Sequence, residues 1–313
     1  MSNQYLQGRL KLTPNMLNKI SHLRTDTVTL NDYLSEPSAR CLLFHEQRFL
    51  TQNGGLLTVE LTSLETLSTQ GEPLFLGLNQ LDGLERPVFA QQLAELPEDT
   101  EHEPSSLRKL AAELDPEYGG LLATAQGLLN WHEQHPYCSA CGSETRVAQG
   151  GNSRVCLSPD CQKEHFPRID PAMIVLITHG EKCLLARNIA WPEGRFSCLA
   201  GFVEVGESLE DAVRREVYEE VGLKVDSVMY QGSQPWPFPR SLMLGFYAES
   251  QSTECTFHDK EIAEARWFTT DSLEAAVNDG SLLVSSSISI SYELINHWYQ
   301  DKIGRSLDSL LTK

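Results

Sequence analysis

The chain has no long apolar run and no apolar segment at its start. The longest purely apolar run, AMIVLI at residues 172–177, is far shorter than the ~20 residues that a membrane-spanning helix needs. The first residues, MSNQYLQGRLKL, lack the apolar core of a secretory signal. Both features predict a soluble protein that works in the cytoplasm.

Basic residues are also scarce. The chain has 25 Lys and Arg against 43 Asp and Glu, a formal net charge of −18. A broad nucleic-acid groove needs a basic field, so this balance disfavours one. An anionic substrate remains compatible with the charge if bound cations neutralise it. The length of 313 residues suggests about two domains, and 41% hydrophobic residues can form a sizeable core.

The composition of the sequence and its pattern of apolar residues change along the chain. The first hundred residues suggest short strands, with a hairpin at Asp82-Gly83. The acidic stretch Leu96 to Ser106 is typical of a linker or loop, and residues 107–131 favour a helix that is broken at 116–120. From Pro171 onward, apolar runs, turns and one long helix alternate, which predicts an α+β fold.

Four of the eight cysteines form two pairs with metal-ligand spacing. They are Cys138-x2-Cys141 and Cys156-x4-Cys161, with Gly and Pro residues nearby to form turns. Four thiolates from two short loops suit tetrahedral Zn²⁺ and leave no open position for catalysis. Since the interval holds few basic residues, a structural zinc is favoured over a nucleic-acid-binding one; buried free thiols are the simpler alternative.

The segment GESLEDAVRREVYEEVGL places carboxylates on an apolar face. On a helix, Leu209 and Val213 begin a stripe that continues to Glu216 and Glu220, with Glu219 beside them. A solvated acidic face would put glutamates opposite the apolar stripe. Crowded, partly buried carboxylates repel one another unless a hard cation such as Mg²⁺ or Mn²⁺ binds them, and magnesium often bridges such sites to phosphates.

The spacing around this helix is that of the Nudix box. The pattern G-x5-E-x7-R-E-U-x-E-E-x-G-U, with U apolar, is met at every specified position from Gly201 to Leu223. This region therefore resembles the Nudix hydrolases. The resemblance implies an α/β/α sandwich around a mixed sheet, and hydrolysis of a nucleoside diphosphate linked to another group.

Roles follow from the box by position. The resemblance implies that Glu216, Glu219 and Glu220 bind metal and act in catalysis, that Arg215 orients one of them, and that Glu207 assists. The carbonyl of Ala200 is an additional implied metal ligand. Glu219 and Glu220 both remain candidates for the general base.

A second signature narrows the resemblance. SQPWPFPRS, residues 233–241, follows the box and on its own predicts a stiff aromatic loop rather than a helix or central strand. With the preceding four-cysteine ribbon, and with HFPRIDPAMIV and DKEIAEARWF, it resembles the NADH pyrophosphatase (NudC-type) subfamily. That resemblance implies hydrolysis of NAD(H) to nicotinamide mononucleotide and AMP, removal of NAD caps from RNA 5′ ends, a catalytic Mg²⁺ or Mn²⁺, one structural Zn²⁺ and a homodimer. It adds Glu261 to the implied metal ligands.

The subfamily resemblance also implies a set of substrate-binding positions. Phe166 stands where an aromatic Tyr is usual, and Ser291 where a small Ala is usual, so the ranking of substrates is left open. The implied set is Arg108, Phe166, Phe202, Ser233, Gln234, Pro235, Trp236, Pro237, Phe238, Pro239, Arg240, Ser241 and Ser291.

The expected organisation has four parts. An N-terminal α+β domain covers residues 1–130, the zinc ribbon 131–167, the Nudix domain 168–300 and a C-terminal tail 301–313. Two other functions stay open: a Nudix hydrolase that prefers ADP-ribose or another nucleoside diphosphate derivative, and a zinc-ribbon binding module whose Nudix domain is inactive.

Overall fold

The computed structural model describes residues 6, 8–13, 17–81, 84–97, 102–258 and 260–311. Contacts divide the chain into two compact units. The C-terminal unit consists of Met1–Lys11, Asp170–Trp236 and Ser241–Lys313, and the N-terminal unit of Leu12–Ile169 and Pro237–Arg240. Among the described residues, no helix is both long and apolar enough to cross a membrane. The four-part division expected from the sequence stays a prediction.

The N-terminal unit contains a mixed sheet of seven strands. They are β1 (Arg40–His45), β2 (Arg48–Gln52), β3 (Gly55–Leu56), β4 (Thr58–Glu60), β5 (Thr69–Leu81), β6 (Leu84–Leu93) and β7 (Glu103–Ser106). The main order is β3-β2-β1-β6-β5, with β4 paired to β1 and β7 to β2. Asp82-Gly83 lies outside the described residues, although β5 and β6 pair antiparallel on either side of it.

The prediction of a linker or loop for residues 96–106 is wrong at its end, where a strand forms. Glu103–Ser106 forms β7, whose residues pair with Arg48 to Thr51 of β2. The acidic and proline-containing composition predicts a loop because it ignores the sheet edge that β2 offers. A strand with poor intrinsic propensity forms there because its partner supplies the hydrogen bonds.

Three helices accompany this sheet. They are α1 (Thr27–Ser35), α2 (Leu107–Glu113) and α3 (Gly119–Gln134). The predicted break between α2 and α3 is confirmed, since Pro116–Tyr118 forms a single 3₁₀ turn. A second, antiparallel sheet follows, made of β8 (Thr145–Ala148), β9 (Ser153–Cys156) and β10 (Glu164–His165) in the order β10-β9-β8.

The C-terminal unit is built on a six-stranded mixed sheet. Its strands are β11 (Asp170–His179), β12 (Lys182–Asn188), β13 (Leu199–Phe202), β14 (Val225–Trp236), β15 (Ser241–Ser250) and β16 (Ile262–Phe268). The order is β14-β15-β11-β12-β16, with β13 paired to β11. The central pair β11–β15 is parallel, and the remaining pairs are antiparallel.

Helices cover both faces of this sheet. They are α4 (Leu209–Val221), α5 (Thr270–Asn278), α6 (Ile290–Ile303) and α7 (Asp308–Leu311). Alternate residues of β11 enter different cores, as the period of a strand requires: Met173 packs with Val213 and Val217 of α4, and Ile174 with Leu294 of α6. The layered α/β/α arrangement implied by the resemblance is therefore confirmed.

The SQPWPFPRS segment is a strand end followed by a turn. Residues 233–236 continue β14 and pair with residues 241–244 of β15. The expectation of an irregular loop is thus wrong for its first half. Proline is tolerated at Pro235 because β14 is the edge strand of its sheet, so a missing N–H leaves no central ladder bond unmade.

Candidate functional site

The four cysteines converge at one end of the β8–β10 sheet. Their sulfur atoms all lie within 4.8 Å of one another, with 3.8 Å between Cys138 and Cys161 and 3.4 Å between Cys141 and Cys156. Tetrahedral zinc with ~2.3 Å bonds to sulfur requires sulfur–sulfur separations of about 3.8 Å. The arrangement fits a four-thiolate zinc site.

Helix α4 begins and ends with standard caps. The side chain of Ser208 accepts a hydrogen bond from the Asp211 N–H, and Gly222 ends the helix with φ 69°, a left-handed conformation that glycine adopts readily. The predicted faces are confirmed. Glu220 is buried, Glu216 is half-buried and Glu219 is exposed.

The carboxylate of Glu216 lies directly against the backbone of Gly201. A β-carbon at position 201 would collide with the Glu216 carboxyl group, so this glycine of the box leaves room for the carboxylate to lie against strand β13. Burial raises the pKa of Glu216, and the nearby carboxylates of Glu219 and Glu261 raise it further, whereas Arg215 opposes the shift.

Arg215 holds three carboxylates and one backbone carbonyl. Its Nε and Nη2 donate to both oxygens of Glu207, at 2.5 and 2.9 Å, and Nη2 also donates to the Phe202 carbonyl at 2.8 Å. Its Nη1 lies 2.9 Å from a Glu216 oxygen and 3.1 Å from a Glu219 oxygen. The hydrogen bonds from Arg215, and next the Glu204 N–H, lower the pKa of Glu207 to about 2. Glu207 therefore stays charged and anchors the arginine.

The C-terminal unit contains a pocket of about 220 Å³ that Glu220 of α4 helps to line. Glu261 and Ala200 are also among the residues that line it. Trp191 and Trp236 line the same pocket. A small pocket with convergent oxygens and aromatic walls suits a phosphate group attached to a ring-bearing nucleoside.

Two of the sequence-predicted substrate positions are engaged inside the protein. Gln234 is fully buried; its Nε2 donates to the Ile288 carbonyl and its Oε1 accepts from the Ile290 N–H, both at 2.8 Å. Ser291 is also buried, with its hydroxyl 2.7 Å from that of Ser197. Direct contact of either side chain with substrate would have to displace these bonds.

The second half of the signature belongs to a different pocket, of about 420 Å³, in the N-terminal unit. Pro237, Phe238 and Pro239 line it together with Arg108, whose guanidinium carbon lies 3.9 Å from the centre of the Phe238 ring. Arg240 donates from Nη1 to Gln134 at 3.2 Å. The structure therefore brings these predicted residues together within one unit.

The other predicted substrate positions are at least partly accessible. Phe166 and Phe202 expose 61% and 58% of their surface, unusually large fractions for phenylalanine, and thus offer open ring faces. Ser233, Pro235 and Ser241 are half-buried at the paired ends of β14 and β15.

Trp191 is a pocket residue that the sequence reasoning missed. It lies in the loop NIAWPEGR between β12 and β13, which no motif covers. The available signal was a tryptophan placed among Pro, Gly and charged residues, where no apolar periodicity calls for a core residue.

Three family models match consecutive parts of the chain. The NADH pyrophosphatase-like rudimentary NUDIX domain matches residues 38–131, the NADH pyrophosphatase zinc ribbon domain 133–166 and the NUDIX domain 168–284. Among solved structures, a NUDIX hydrolase from Nitrosomonas europaea aligns with a TM-score of 0.44 and 21% identity, over 54% of this chain and 94% of that chain.

Two curated relatives share 43% of their aligned residues with this chain. The alignment with the human NAD-capped RNA hydrolase NUDT12 covers 59% of this chain and 43% of that protein, so the chain spans less than half of the relative's length. The NAD-capped RNA hydrolase NudC of Mycobacterium bovis aligns over 80% of this chain and 82% of its own length. With the complete box, the cysteine cluster and these matches, the chain belongs to the NudC-type NADH pyrophosphatase subfamily of the Nudix hydrolases.

Proposed function

We propose that this protein hydrolyses the pyrophosphate bond of NAD(H) and releases nicotinamide mononucleotide and AMP. The observation that carries the proposal is one pocket that is lined both by the carboxylates Glu220 and Glu261 and by Trp236 of the subfamily signature. The carboxylates suit the phosphate-binding chemistry, and the indole suits a ring of the dinucleotide. Family membership supports the same substrate.

The catalytic metal is proposed to be Mg²⁺ or Mn²⁺. The donors that would hold it are the Ala200 carbonyl and the carboxylates of Glu216, Glu219, Glu220 and Glu261. The donor set fits a hard cation, because all of these ligands are oxygen atoms and Glu220 and Glu261 line the same pocket. When bound, such a cation neutralises phosphate oxygens and lowers the pKa of a water ligand.

The protein's own residues supply orientation and proton transfer. Arg215, anchored by Glu207, sets the positions of Glu216 and Glu219. Between the two candidates for the general base, the geometry favours Glu220 because it lines the pocket, whereas Glu219 is bonded to Arg215. A carboxylate that is held by an arginine is a weaker base.

A structural Zn²⁺ is proposed for Cys138, Cys141, Cys156 and Cys161. Four thiolates complete the coordination of zinc, so the ion would stabilise the ribbon without taking part in hydrolysis.

A side-by-side assay of NADH, NAD⁺, NADPH and ADP-ribose tests the substrate. We expect NADH or NAD⁺ to have the highest kcat/KM. Turnover of ADP-ribose without turnover of NADH would replace the proposal with the general Nudix alternative. Lack of turnover of all four, with both metals, would favour the alternative of an inactive Nudix domain attached to a zinc-ribbon binding module.

NAD-capped RNA is a second proposed substrate, favoured by the two relatives named NAD-capped RNA hydrolases. The net charge of −18 argues for little contact with the RNA body. Cleavage of the cap should therefore depend weakly on RNA length. A steep increase in kcat/KM with length at fixed salt would contradict this expectation.

A homodimer is proposed on the basis of the subfamily alone, and a cytoplasmic location is proposed as the expectation drawn from the sequence. Light scattering after size-exclusion chromatography tests the first, and a mass equal to one 35.0 kDa chain would refute it. Fractionation of the producing cells tests the second.

A further inference from the structure

We propose that Trp191 is a substrate-specificity residue that stacks on the ring of one mononucleotide half of the dinucleotide, an inference that rests on the proposed NAD(H) hydrolysis. Trp191 lines the pocket that Glu220, Glu261 and Trp236 also line. The pocket volume of about 220 Å³ is below the ~300–1,000 Å³ of sites for drug-sized ligands, so it suits one ring-bearing half of the substrate.

Trp191 is not a core residue. It is half-buried and belongs to neither of the apolar clusters that flank the sheet of the C-terminal unit. Tryptophan gains most from burial in a core, so leaving its large indole at a pocket wall forgoes stability that a core position would provide. A role in binding accounts for the residue at this place.

Hydrogen bonds hold the first half of the loop that carries Trp191, and one of them is to the backbone of Glu261. The Trp191 N–H donates to the Asn188 carbonyl at 2.9 Å, and the N–H of Ile189 donates to the carbonyl of Glu261 at 2.8 Å. Arg187 Nη1 donates to the Trp191 carbonyl at 3.4 Å. The tryptophan backbone is thereby fixed relative to an implied metal ligand.

The other end of the loop is fixed as well. The Leu283 N–H donates to the Gly194 carbonyl at 2.7 Å, and the Phe196 N–H donates to the Leu283 carbonyl at 3.2 Å. The Arg195 guanidinium carbon lies over the Trp191 ring, 5.3 Å from its centre. A ring held in place before the ligand arrives loses little entropy on binding.

The chemistry of an indole predicts which kinetic constant depends on it. Stacking between an aromatic side chain and a base strengthens binding by roughly five- to a hundredfold. Such a contact is present in the ground state and in the transition state alike, so its loss raises KM more than it lowers kcat.

Kinetics of three variants test the proposal. Trp191→Ala should raise the KM for NADH about tenfold, the loss expected for one stack, with a much smaller change in kcat. Trp191→Phe should recover most of the loss because it keeps a ring. Glu193→Gln, an exposed neighbour in the same loop, is the control and should match the wild type. An unchanged KM for Trp191→Ala in a folded enzyme would overturn the proposal, as would the same loss in Glu193→Gln.

Product binding separates this inference from the proposed reaction. Calorimetric titrations of NMN and of AMP with wild type and Trp191→Ala need no turnover. A selective loss of affinity for one product supports the stack and identifies the half that Trp191 contacts. The proposal would be overturned if Trp191→Ala bound NMN as tightly as the wild type does and also bound AMP as tightly. Failure of the wild type to hydrolyse NADH would instead reject the proposed function.

Discussion

The cysteine cluster of the N-terminal unit and the carboxylate cluster of the C-terminal unit differ in how their charges are arranged. Four sulfurs lie within 4.8 Å of one another and fit one tetrahedral ion. The glutamates are spread over helix α4 and the residue before β16, and Arg215 forms ion pairs with two of them. The first site is closed, whereas the second borders a pocket. We propose from this difference that the first serves stability and the second serves chemistry.

Removal of a pocket carboxylate should have the largest effect on activity. Glu220→Gln keeps the shape of the side chain but loses the charge, so we expect kcat with NADH to fall by ~10²-fold or more while the fold persists. Glu210→Gln, on the exposed face of the same helix, is the matched control. Steady-state kinetics and a melting curve report the two effects. Equal activity of Glu220→Gln and wild type would contradict a catalytic role for the carboxylate site.

Removal of a thiolate from the cysteine cluster should instead reduce the stability of the fold. Cys138→Ser leaves zinc three protein ligands, so the bound metal and roughly 4 kcal/mol or more of stability should be lost. Metal analysis and denaturant unfolding measure these quantities. The control is Cys255→Ser, a cysteine outside the cluster. If the Cys138 variant melts like the wild type and neither protein contains zinc, the zinc assignment fails.

Replacement of Arg215 by lysine should sharpen the account of the carboxylate site. Lysine keeps the charge but cannot span both oxygens of Glu207 and also reach Glu216 and Glu219. We expect kcat to fall about tenfold, the order of a 1.4 kcal/mol loss in transition-state stabilisation. Arg214→Lys is the control, because Arg214 forms an exposed pair with Asp211. Equal loss in both variants would show a general effect on the helix.

The smallest effect concerns pH and is confined to the N-terminal unit. Burial lowers the pKa of His132 from 6.5 to about 4. Its Nδ1 lies 2.7 Å from Arg154 Nη1, which can only donate, so the folded state needs neutral histidine. The unfolded chain takes up a proton below pH 6.5. The stability contributed by neutral His132 is therefore present above pH 6.5 and lost as the pH falls toward 4.

Denaturant unfolding between pH 7 and pH 4.5 tests this coupling. His132→Gln should flatten the decline in stability over this range. Identical slopes in wild type and His132→Gln would contradict the expectation.

The success of sequence reasoning differs between these regions for physical reasons. Helix α4 is predictable because its caps, its apolar stripe and the spacing of its carboxylates all indicate the same helix. Strand β7 is not, because its formation depends on the free edge of β2 rather than on its own composition. Gln234 has the same limitation. Its buried bonds to Ile288 and to Ile290, the first residue of α6, are made by residues more than fifty positions away, which no local pattern reveals.

Trp191 shows the limit for the site itself. The spacing of the box identifies the carboxylates because metal coordination constrains residue types at fixed intervals. A pocket wall only needs a ring of suitable size from some loop, so no spacing rule marks it. The position of Trp191 follows from the packing of the loop between β12 and β13 against Glu261 and Leu283.

Product analysis tests the central claim most directly. The purified protein is incubated with NADH in the presence of Mg²⁺ and, separately, Mn²⁺, and the products are separated by chromatography. The account predicts reduced nicotinamide mononucleotide and AMP in equal amounts with at least one of the two metals. Release of nicotinamide and ADP-ribose, or intact NADH under both conditions, would contradict it.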